Sequence, residues 1–384
     1  MDVMVRIQAV LLAAALSVPM AFAQRHSLGG INPDVPEGRA LQRIEAEADE
    51  AKKVPLIEQF VAQFPKDENI PWAYEQLIGL YAKAGQSDKV LETGQKLLAM
   101  DPDDVPSAQA CLKASEAKKD PALVLKWSAT TSELARKVVQ SPQPAAAEDV
   151  DAWKRNVDYA RQVDVYTEYA LYAALLQSTD PKVRIQLGEA LLTRNSQSEY
   201  APKVSQPLFL AYMQTAQSGK GLEFAEKCVA ANQASAEMLL TVAQSYMEKK
   251  EPDKAITAAE QAIQIVDSNQ KPDGVAEADW PTWRTQIKGR AAWIAGVSYA
   301  AVNKWPQADK SLRVALPSVQ ADKDMLAQTL FFLGLANYRL AEGGQAGRYA
   351  DALKFSEQCA ALPGPYQAPA RTNVKAIRAK YHAQ

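Results

Sequence analysis

A recurring spacing of small residues and tyrosine constrains the fold of this chain more than any other feature. In the segment 293–317 (WIAGVSYAAVNKWPQADKSLRVALP), Tyr299 follows Gly296 by three residues, and Ala308 follows Tyr299 by nine. Two more segments keep both intervals: Ile78, Tyr81 and Val90 in 71–104, and Ala243, Tyr246 and Ala255 in 236–267. Small residues inside amphipathic helices indicate that two backbones pack closely. The chain is therefore predicted to repeat one unit of two helices.

These residues resemble the tetratricopeptide repeat, a helix–turn–helix unit of 34 residues. Another copy begins at Leu333-Gly334, where Asn337 takes the place of the tyrosine and the second small residue, Ala352, comes six residues late. The resemblance implies an all-α protein, an α-solenoid whose pairs form a right-handed superhelix. It also implies that the small residues of the two helices face each other and that the tyrosine fills the wedge to the next pair.

The first 23 residues are predicted to be a signal peptide. Arg6 precedes a short apolar run, AVLLAAALSVPMAF, and Ala21-Phe22-Ala23 matches an A-x-A cleavage signature. The run is too short and wrongly flanked for a stable membrane span, and no later segment reaches 18 apolar residues. We therefore expect an exported protein without a membrane span, periplasmic or secreted. Segments 58–69 and 191–203 resemble linkers between repeats in bacterial envelope proteins of this kind.

The rest of the chain is predicted to divide into four parts. Residues 24–40 are polar and contain Gly and Pro, which is typical of a flexible tail. Helical patterns then indicate N-terminal repeats over 41–140 and central and C-terminal repeats over 148–365. The basic helix of 366–384 is expected to cap the array. The interruption at 267–281 is long enough to carry a loop, and insertions in repeat arrays often lie on the binding face.

Composition argues against several function classes. The formal net charge is −2 and no basic stripe is present, so a nucleic-acid partner is not expected. The two histidines, His26 in the tail and His382 near the end, argue against triad catalysis and zinc sites. Cys111, Cys228 and Cys359 are too far apart in a solenoid to form disulfides and are predicted to be buried. No catalytic residue, metal or cofactor is therefore predicted, and an enzyme is only the third hypothesis.

The resemblance also implies where a partner binds. In tetratricopeptide arrays the first helices of successive pairs line a concave groove. The predicted groove residues of this chain are Leu240, Gln244, Met247, Trp293, Val297, Phe331, Tyr338 and Arg339. The Lys and Asn clamp by which some family members hold a C-terminal carboxylate is missing, since its places hold Glu75, Leu240, Trp293 and Phe331. We predict a non-enzymatic scaffold of the bacterial cell envelope that binds a protein partner, as a peptide or a helical segment, in this groove.

Two alternatives stay open on the residues alone. A carbohydrate- or small-ligand-binding helical protein would use Trp280, Trp283 and Trp293 as stacking surfaces. The tyrosines of the long helix that follows residue 150, among them Tyr166 and Tyr169, are able either to line a groove or to pack between repeats. The loop 267–281 is a further candidate for the binding surface.

The signal-peptide prediction is tested by the mass of the exported protein. We expect cleavage after Ala23, so that the chain found outside the cytoplasm begins at Gln24 and needs no detergent. Retention of Met1–Ala23, or a detergent requirement for extraction, would show that the segment is not a cleaved signal.

Overall fold

The computed structural model describes residues 25–268, 270–272 and 275–381, and these residues are helical without a β-strand. The predicted signal peptide and His382 lie outside the described residues. In chain order the helices begin with α1 (Pro36–Ala46), α2 (Glu50–Gln63), α3 (Ile70–Lys83), α4 (Ser87–Met100), α5 (Val105–Ala117), α6 (Pro121–Val139), α7 (Val150–Gln177), α8 (Pro181–Arg194) and α9 (Ala201–Met213). They are followed by α10 (Ser218–Ala230), α11 (Ala236–Glu248), α12 (Pro252–Asp267), α13 (Trp280–Ala301), α14 (Trp305–Ala315), α15 (Lys323–Glu342), α16 (Arg348–Ala360) and α17 (Gln367–Tyr381). No helix in the described part of the chain is both long and apolar enough to cross a bilayer.

The helices pack in sequence, which confirms the predicted all-α solenoid. The chain forms two compact units, one ending at Ala211 and the other beginning at Tyr212. In the first unit each helix from α1 to α7 contacts the next, and α3, α5 and α7 also contact one another in order. In the second unit α11, α13, α15 and α17 make the same alternate contacts. Each pair therefore touches only its neighbours, as in other repeat proteins.

The turn between the two helices of a pair explains the interval of nine residues. Gly85, Lys250 and Asn303 lie four residues after the repeat tyrosines and have φ of 68°, 59° and 58°. The next N–H donates back to the tyrosine carbonyl: Gln86 to Tyr81, Glu251 to Tyr246 and Lys304 to Tyr299, each at 2.9 Å. This is a left-handed helix C-cap of the Schellman type. Because the second helix then starts at a fixed residue, the ninth residue after the tyrosine always lies on its inner side.

The close approach of the two helices is visible at the glycines. A Cβ atom built on Gly296 would lie 2.6 Å from Cγ and 3.1 Å from the backbone N of Leu312. One built on Gly334 would lie 2.5 Å from Oγ and 3.2 Å from the backbone N of Ser356. Both glycines therefore face their own second helices, as predicted. The nearest neighbour of Gly296 is Leu312, one turn beyond the small residue Ala308 that the resemblance placed opposite it.

Two of the repeat tyrosines, Tyr81 and Tyr299, contact the preceding pair, whereas the resemblance implied that the tyrosines fill the wedge to the next one. The hydroxyl of Tyr81 donates to Glu58 Oε1 of α2 at 2.5 Å. The hydroxyl of Tyr299 likewise donates to Glu260 of α12. Burial and the neighbouring carboxylate raise the pKa of Tyr299 to about 12. Since each tyrosine belongs to the first helix of its own pair, these bonds join successive pairs.

A polar cluster replaces the tyrosine in the last pair. Asn337 is buried, and its Nδ2 donates to Asp309 Oδ1 at 2.7 Å. Arg313 Nε and Arg348 Nη1 donate to the same buried carboxylate at 2.8 and 3.1 Å. Arg348 is the first residue of α16, directly after the insert that delays Ala352. The insert therefore supplies a cation for a carboxylate that would be costly to bury unpaired.

The ends of the array differ in part from the sequence-based expectation. Helix α1 begins at Pro36, inside the segment expected to be a tail, and Gly38 and Ala40 are buried. Residues 141–149 contain only a short 3₁₀ turn (Ala147–Asp149), but α6 and α7 on either side pack together, so the compact units do not divide there. The C-terminal helix α17 contacts α15 and α16.

The three cysteines form no disulfide and are buried, as predicted. Burial raises the pKa of the Cys111 thiol to about 12 and that of Cys359 to about 11. These thiols are therefore protonated near neutral pH and shielded from reagents, because the thiolate is the reactive form. They act as small apolar side chains in the helix interfaces.

Replacement of Gly296 by leucine tests the close helix approach. We expect Gly296→Leu to lower the free energy of unfolding by about 1–3 kcal/mol, the usual effect of overpacking a tight core. Gly219→Leu is the matched control, since a side chain at Gly219 meets no atom within 4 Å. Urea unfolding followed by circular dichroism measures both. A Gly296→Leu midpoint equal to that of the wild type would mean that the pair crosses elsewhere.

Candidate functional site

The face on which a partner was predicted to lie is built by the first helices of the pairs. We use "first-helix face" for the side of α3, α5 and α7 in the first unit, and of α11, α13 and α15 in the second, that is not covered by the second helices. Its residues come from neighbouring helices in contact with each other. The predicted groove residues all belong to the second unit.

Three predicted groove residues, Leu240, Gln244 and Met247, lie on α11 and are partly exposed. Gln244 Nε2 donates to Glu248 Oε1 at 2.8 Å, while Gln244 Oε1 is buried and has no hydrogen-bond partner among the described residues. The exposed part of Leu240 and Met247 is apolar. Such a surface suits the apolar side chains of a peptide.

Two predicted groove residues on α13 are buried instead. Trp293 is 7% exposed and Val297 is 9% exposed. Helix α13 contacts α11, α12, α14 and α15, and every residue from Ala291 to Ala300 is buried. Neither side chain therefore offers a surface to a partner in this structure. The cause is the number of helices around α13, which leaves no free side over this stretch.

The predicted residues of α15 are partly covered by the C-terminal segment. The ring of Phe331 lies 5.1 Å from that of Tyr366, measured between centroids. The ring of Tyr338 lies 6.2 Å from that of Tyr349, measured between centroids. Lys380 Nζ of α17 lies 5.3 Å from the centroid of the Tyr338 ring. Of this group only Arg339 is exposed, and it pairs with Glu342 at 3.2 Å. The capping segment therefore occupies much of the place assigned to a partner.

The tryptophans of the carbohydrate-binding alternative are separated in the structure. The rings of Trp280 and Trp283 stack on each other at 5.2 Å, and both are partly exposed. Trp283 Nε1 donates to Glu237 Oε1 of α11 at 2.8 Å. Trp293 lies in the interior, so at most two of the three proposed stacking surfaces face solvent.

The tyrosines of the long helix α7 pack between repeats, which is one of the two interpretations left open. The hydroxyl of Tyr166 donates to Glu116 Oε2 of α5 at 2.5 Å, and that of Tyr159 donates to Gln109 Oε1 at 2.9 Å. Tyr172 stacks on Tyr200 at 5.3 Å. Burial is the main cause that raises the pKa of the Glu116 carboxyl, and the Tyr166 hydrogen bond acts against it.

The structure places a peptide segment on the first-helix face where the sequence predicted a loose tail. The N–H groups of Arg25 and His26 donate to Glu75 Oε1 and Oε2 of α3 at 3.0 and 2.9 Å. The N–H of Gly29 donates to Asn69 Oδ1 at 2.8 Å. Glu75 is only 6% exposed. The segment is thus held on α3 through its backbone, which sequence reasoning missed. We call Arg25–Gly29 the N-terminal segment.

The side chains of the N-terminal segment add charge complementarity. Arg25 forms a two-point contact with Asp101, through Nε at 2.5 Å and Nη2 at 3.0 Å. His26 Nδ1 lies 3.0 Å from Glu75 Oε2, and Nε2 lies 3.2 Å from Asp101 Oδ2. Burial acts to raise the pKa of Asp101, but the hydrogen bond and charge of Arg25 hold it below its usual range. The carboxylates on this face therefore select for positive charge.

His26, Asp101 and Asp104 have possible ligand atoms within 4.8 Å of one another. These atoms are already engaged by protein groups. Asp101 binds the Arg25 guanidinium, and Asp104 caps α5 by accepting from the N–H and hydroxyl of Ser107 at 3.0 and 2.7 Å. His26 therefore lies in a network of protein ion pairs.

Comparison with known proteins gives distant structural matches. No family model and no curated protein matches the chain. The tetratricopeptide repeat (TPR) domain of P58(IPK) is 12% identical, with a TM-score of 0.28 and coverage of 91% of this chain and 99% of that one. Yeast Tom70 is 11% identical, with a TM-score of 0.20 and coverage of 90% and 95%. The assignment of the fold rests on the helix pairs described above.

The burial of Trp293 leads to a prediction on stability. We expect Trp293→Ala to lower the free energy of unfolding by about 3–5 kcal/mol, as for other buried tryptophans. Arg339→Ala, on the exposed side of α15, is the control and is expected to change it by less than about 0.5 kcal/mol. Thermal unfolding of both variants measures the difference. A melting temperature of Trp293→Ala equal to that of the wild type would show that the Trp293 side chain is exposed on the binding face.

Proposed function

We propose that the protein is a non-enzymatic scaffold of the bacterial cell envelope that binds a protein partner as an extended or helical segment on its first-helix face. The observation that carries this proposal is the N-terminal segment, which lies on α3 as a peptide held through backbone amides and charged side chains. Helix faces of this kind bind peptides by such contacts. The resemblance of the repeats to the tetratricopeptide family supports the same role.

The side chains available for chemistry support a binding role rather than catalysis. The described cysteines are all buried, and burial raises the pKa of both Cys111 and Cys359. The one histidine in the described part of the chain, His26, lies between two carboxylates. General acid–base and nucleophilic mechanisms need such groups free to meet a substrate.

The second unit offers a further place for a partner on α11. Leu240, Gln244 and Met247 are the predicted groove residues that stay partly exposed and are not covered by the C-terminal segment. We propose that they contact the partner, together with the exposed Arg339 of α15. The export of the protein, to the periplasm or beyond, rests on the sequence of residues 1–23 and belongs to the same proposal.

The experiment starts from the chain that begins at Gln24, immobilised and exposed to envelope extract. After the captured protein has been identified and purified, its Kd is measured against the wild type and against a Leu240→Ala, Met247→Ala variant. We expect Kd to rise at least about ten-fold, or roughly 1.4 kcal/mol. Melting of the variant, measured in parallel, is expected to stay near that of the wild type.

The matched control removes two apolar side chains from second helices. Ile265 of α12 and Val314 of α14 are exposed, so Ile265→Ala, Val314→Ala takes away similar area on the other side of the pairs. We expect this variant to bind as the wild type does. Weaker binding by the control alone would place the partner on the second helices. Unchanged binding by both would exclude α11 and leave the loop 267–281 as the next region to vary.

A further inference from the structure

The N-terminal segment satisfies a carboxylate that the rest of the unit leaves unpaired. Glu75 is buried in α3, and the three hydrogen bonds recorded for it within the described residues all involve Arg25 or His26. A buried carboxylate without partners is strongly unfavourable. The fold therefore presents a preformed acceptor on its first-helix face that requires a donor-rich segment.

The same segment contributes little apolar contact, so it is held mainly by polar groups. Arg25 is exposed and the side chain of His26 is half-buried, while Leu28 is the one residue of the segment that packs against the core. The ion pair of the exposed Arg25 contributes little, commonly about 0–1 kcal/mol. A segment held in this way is replaceable, without disturbing the core, by another that supplies the same polar groups to Glu75.

The surface beside the segment is predominantly acidic and open. A cleft of about 740 Å³ adjoins Glu75 and is lined by four carboxylates, of Glu45, Glu47, Glu50 and Glu75, against two ammonium groups, of Lys53 and Lys83. A second cleft of about 550 Å³ reaches from Ser27 and Leu28 to Trp72. A peptide longer than the N-terminal segment has room to continue along these clefts.

We propose that the face formed by Asn69, Glu75 and Asp101 is a recognition site for an extended, positively charged peptide segment. The N-terminal segment occupies this site as an internal ligand, and a partner must displace it. Backbone N–H groups would pair with Glu75, an arginine with Asp101, and a further N–H with Asn69. This inference rests on the proposed function and names the chemistry of one partner.

The test uses a fluorescein-labelled peptide of residues 25–33, RHSLGGINP, and fluorescence anisotropy. Two proteins that begin at Gln24 are compared: the wild type and an Arg25→Ala, His26→Ala variant, whose internal ligand is weakened. We expect the variant to bind the peptide at least about ten-fold more tightly. In the wild type the tethered segment competes at an effective concentration near the millimolar range.

Two further variants locate the binding. Adding Glu75→Gln to the double variant is expected to abolish binding, because one carboxamide oxygen cannot replace two carboxylate oxygens. Adding Asp103→Asn instead is the matched control, since exposed Asp103 pairs with Lys137 rather than with the segment. A peptide with alanine in the first two positions is expected not to bind. Absence of peptide binding to the folded double variant, equal binding to the wild type, or binding that persists with Glu75→Gln would each overturn the proposal.

Hydrogen exchange of the wild-type protein tests the proposal without any variant. The amides of Arg25 and His26 are expected to exchange by local opening, faster than the amides of α3. Exchange of these two amides only with global unfolding would show that the segment belongs to the core and is not displaced. A negative result at Glu75 does not change the result expected for the α11 variants. A negative result with the α11 variants does not change the result expected at Glu75, so the two proposals are tested independently.

Discussion

The hydrogen bond from the turn to the tyrosine carbonyl sets the geometry on which the remaining packing depends. It requires a residue in the left-handed region four positions after the tyrosine, and Gly85, Lys250 and Asn303 fill that place. Glycine and asparagine adopt this conformation at low cost, whereas lysine must be held in it by its surroundings. Once the turn is fixed, the second helix returns along the first at a set distance. Small residues then fit between the two backbones in the second unit, whereas the pair of α3 and α4 accommodates Ile78 and Val90 at the same places.

The repeat pattern could be predicted from sequence because it is a local consequence of this turn. The intervals of three and nine residues follow from helix geometry and the length of the turn, both of which are encoded within one pair. The late small residue of the last pair has two causes of three residues each: a later turn, and a longer stretch from the turn residue Gly344 to Ala352, eight residues against five in the other pairs. Its turn hydrogen bond runs from Gln345 to Leu340, three residues beyond Asn337, and Gly344 takes the left-handed place.

The burial of the predicted groove residues could not be predicted in the same way. Position in the repeat indicates which side of a first helix a residue occupies, but exposure depends on how closely the neighbouring helices approach. Trp293 and Val297 are enclosed by four helices. One signal was present in the sequence: residues 291–300 (AAWIAGVSYA) are apolar on every side of the helix except at Ser298, and such a helix is normally buried.

The site on α3 was missed because it joins residues 40 to 76 positions apart through a segment without periodicity. Here too one residue carried information. Glu75 lies within the apolar stretch IPWAYEQLIGLY, and a carboxylate on a buried helix side needs a partner from elsewhere. The sequence shows the need for a cation or donor but not its source, since any exposed Arg or Lys of the chain would serve.

Each unit thus covers part of its first-helix face with a segment of its own, but by different physical means. In the second unit α17 contributes Ile377 to a core cluster with Ala341, Tyr349 and Ala352. Burial of apolar area stabilises at about 25 cal/mol per Å², so removing α17 would expose a core. In the first unit the N-terminal segment is held largely by hydrogen bonds and ion pairs, which another peptide with the same groups replaces one for one. Exchange of ligands is therefore favoured at Glu75 and disfavoured at Tyr338, although both lie on first helices.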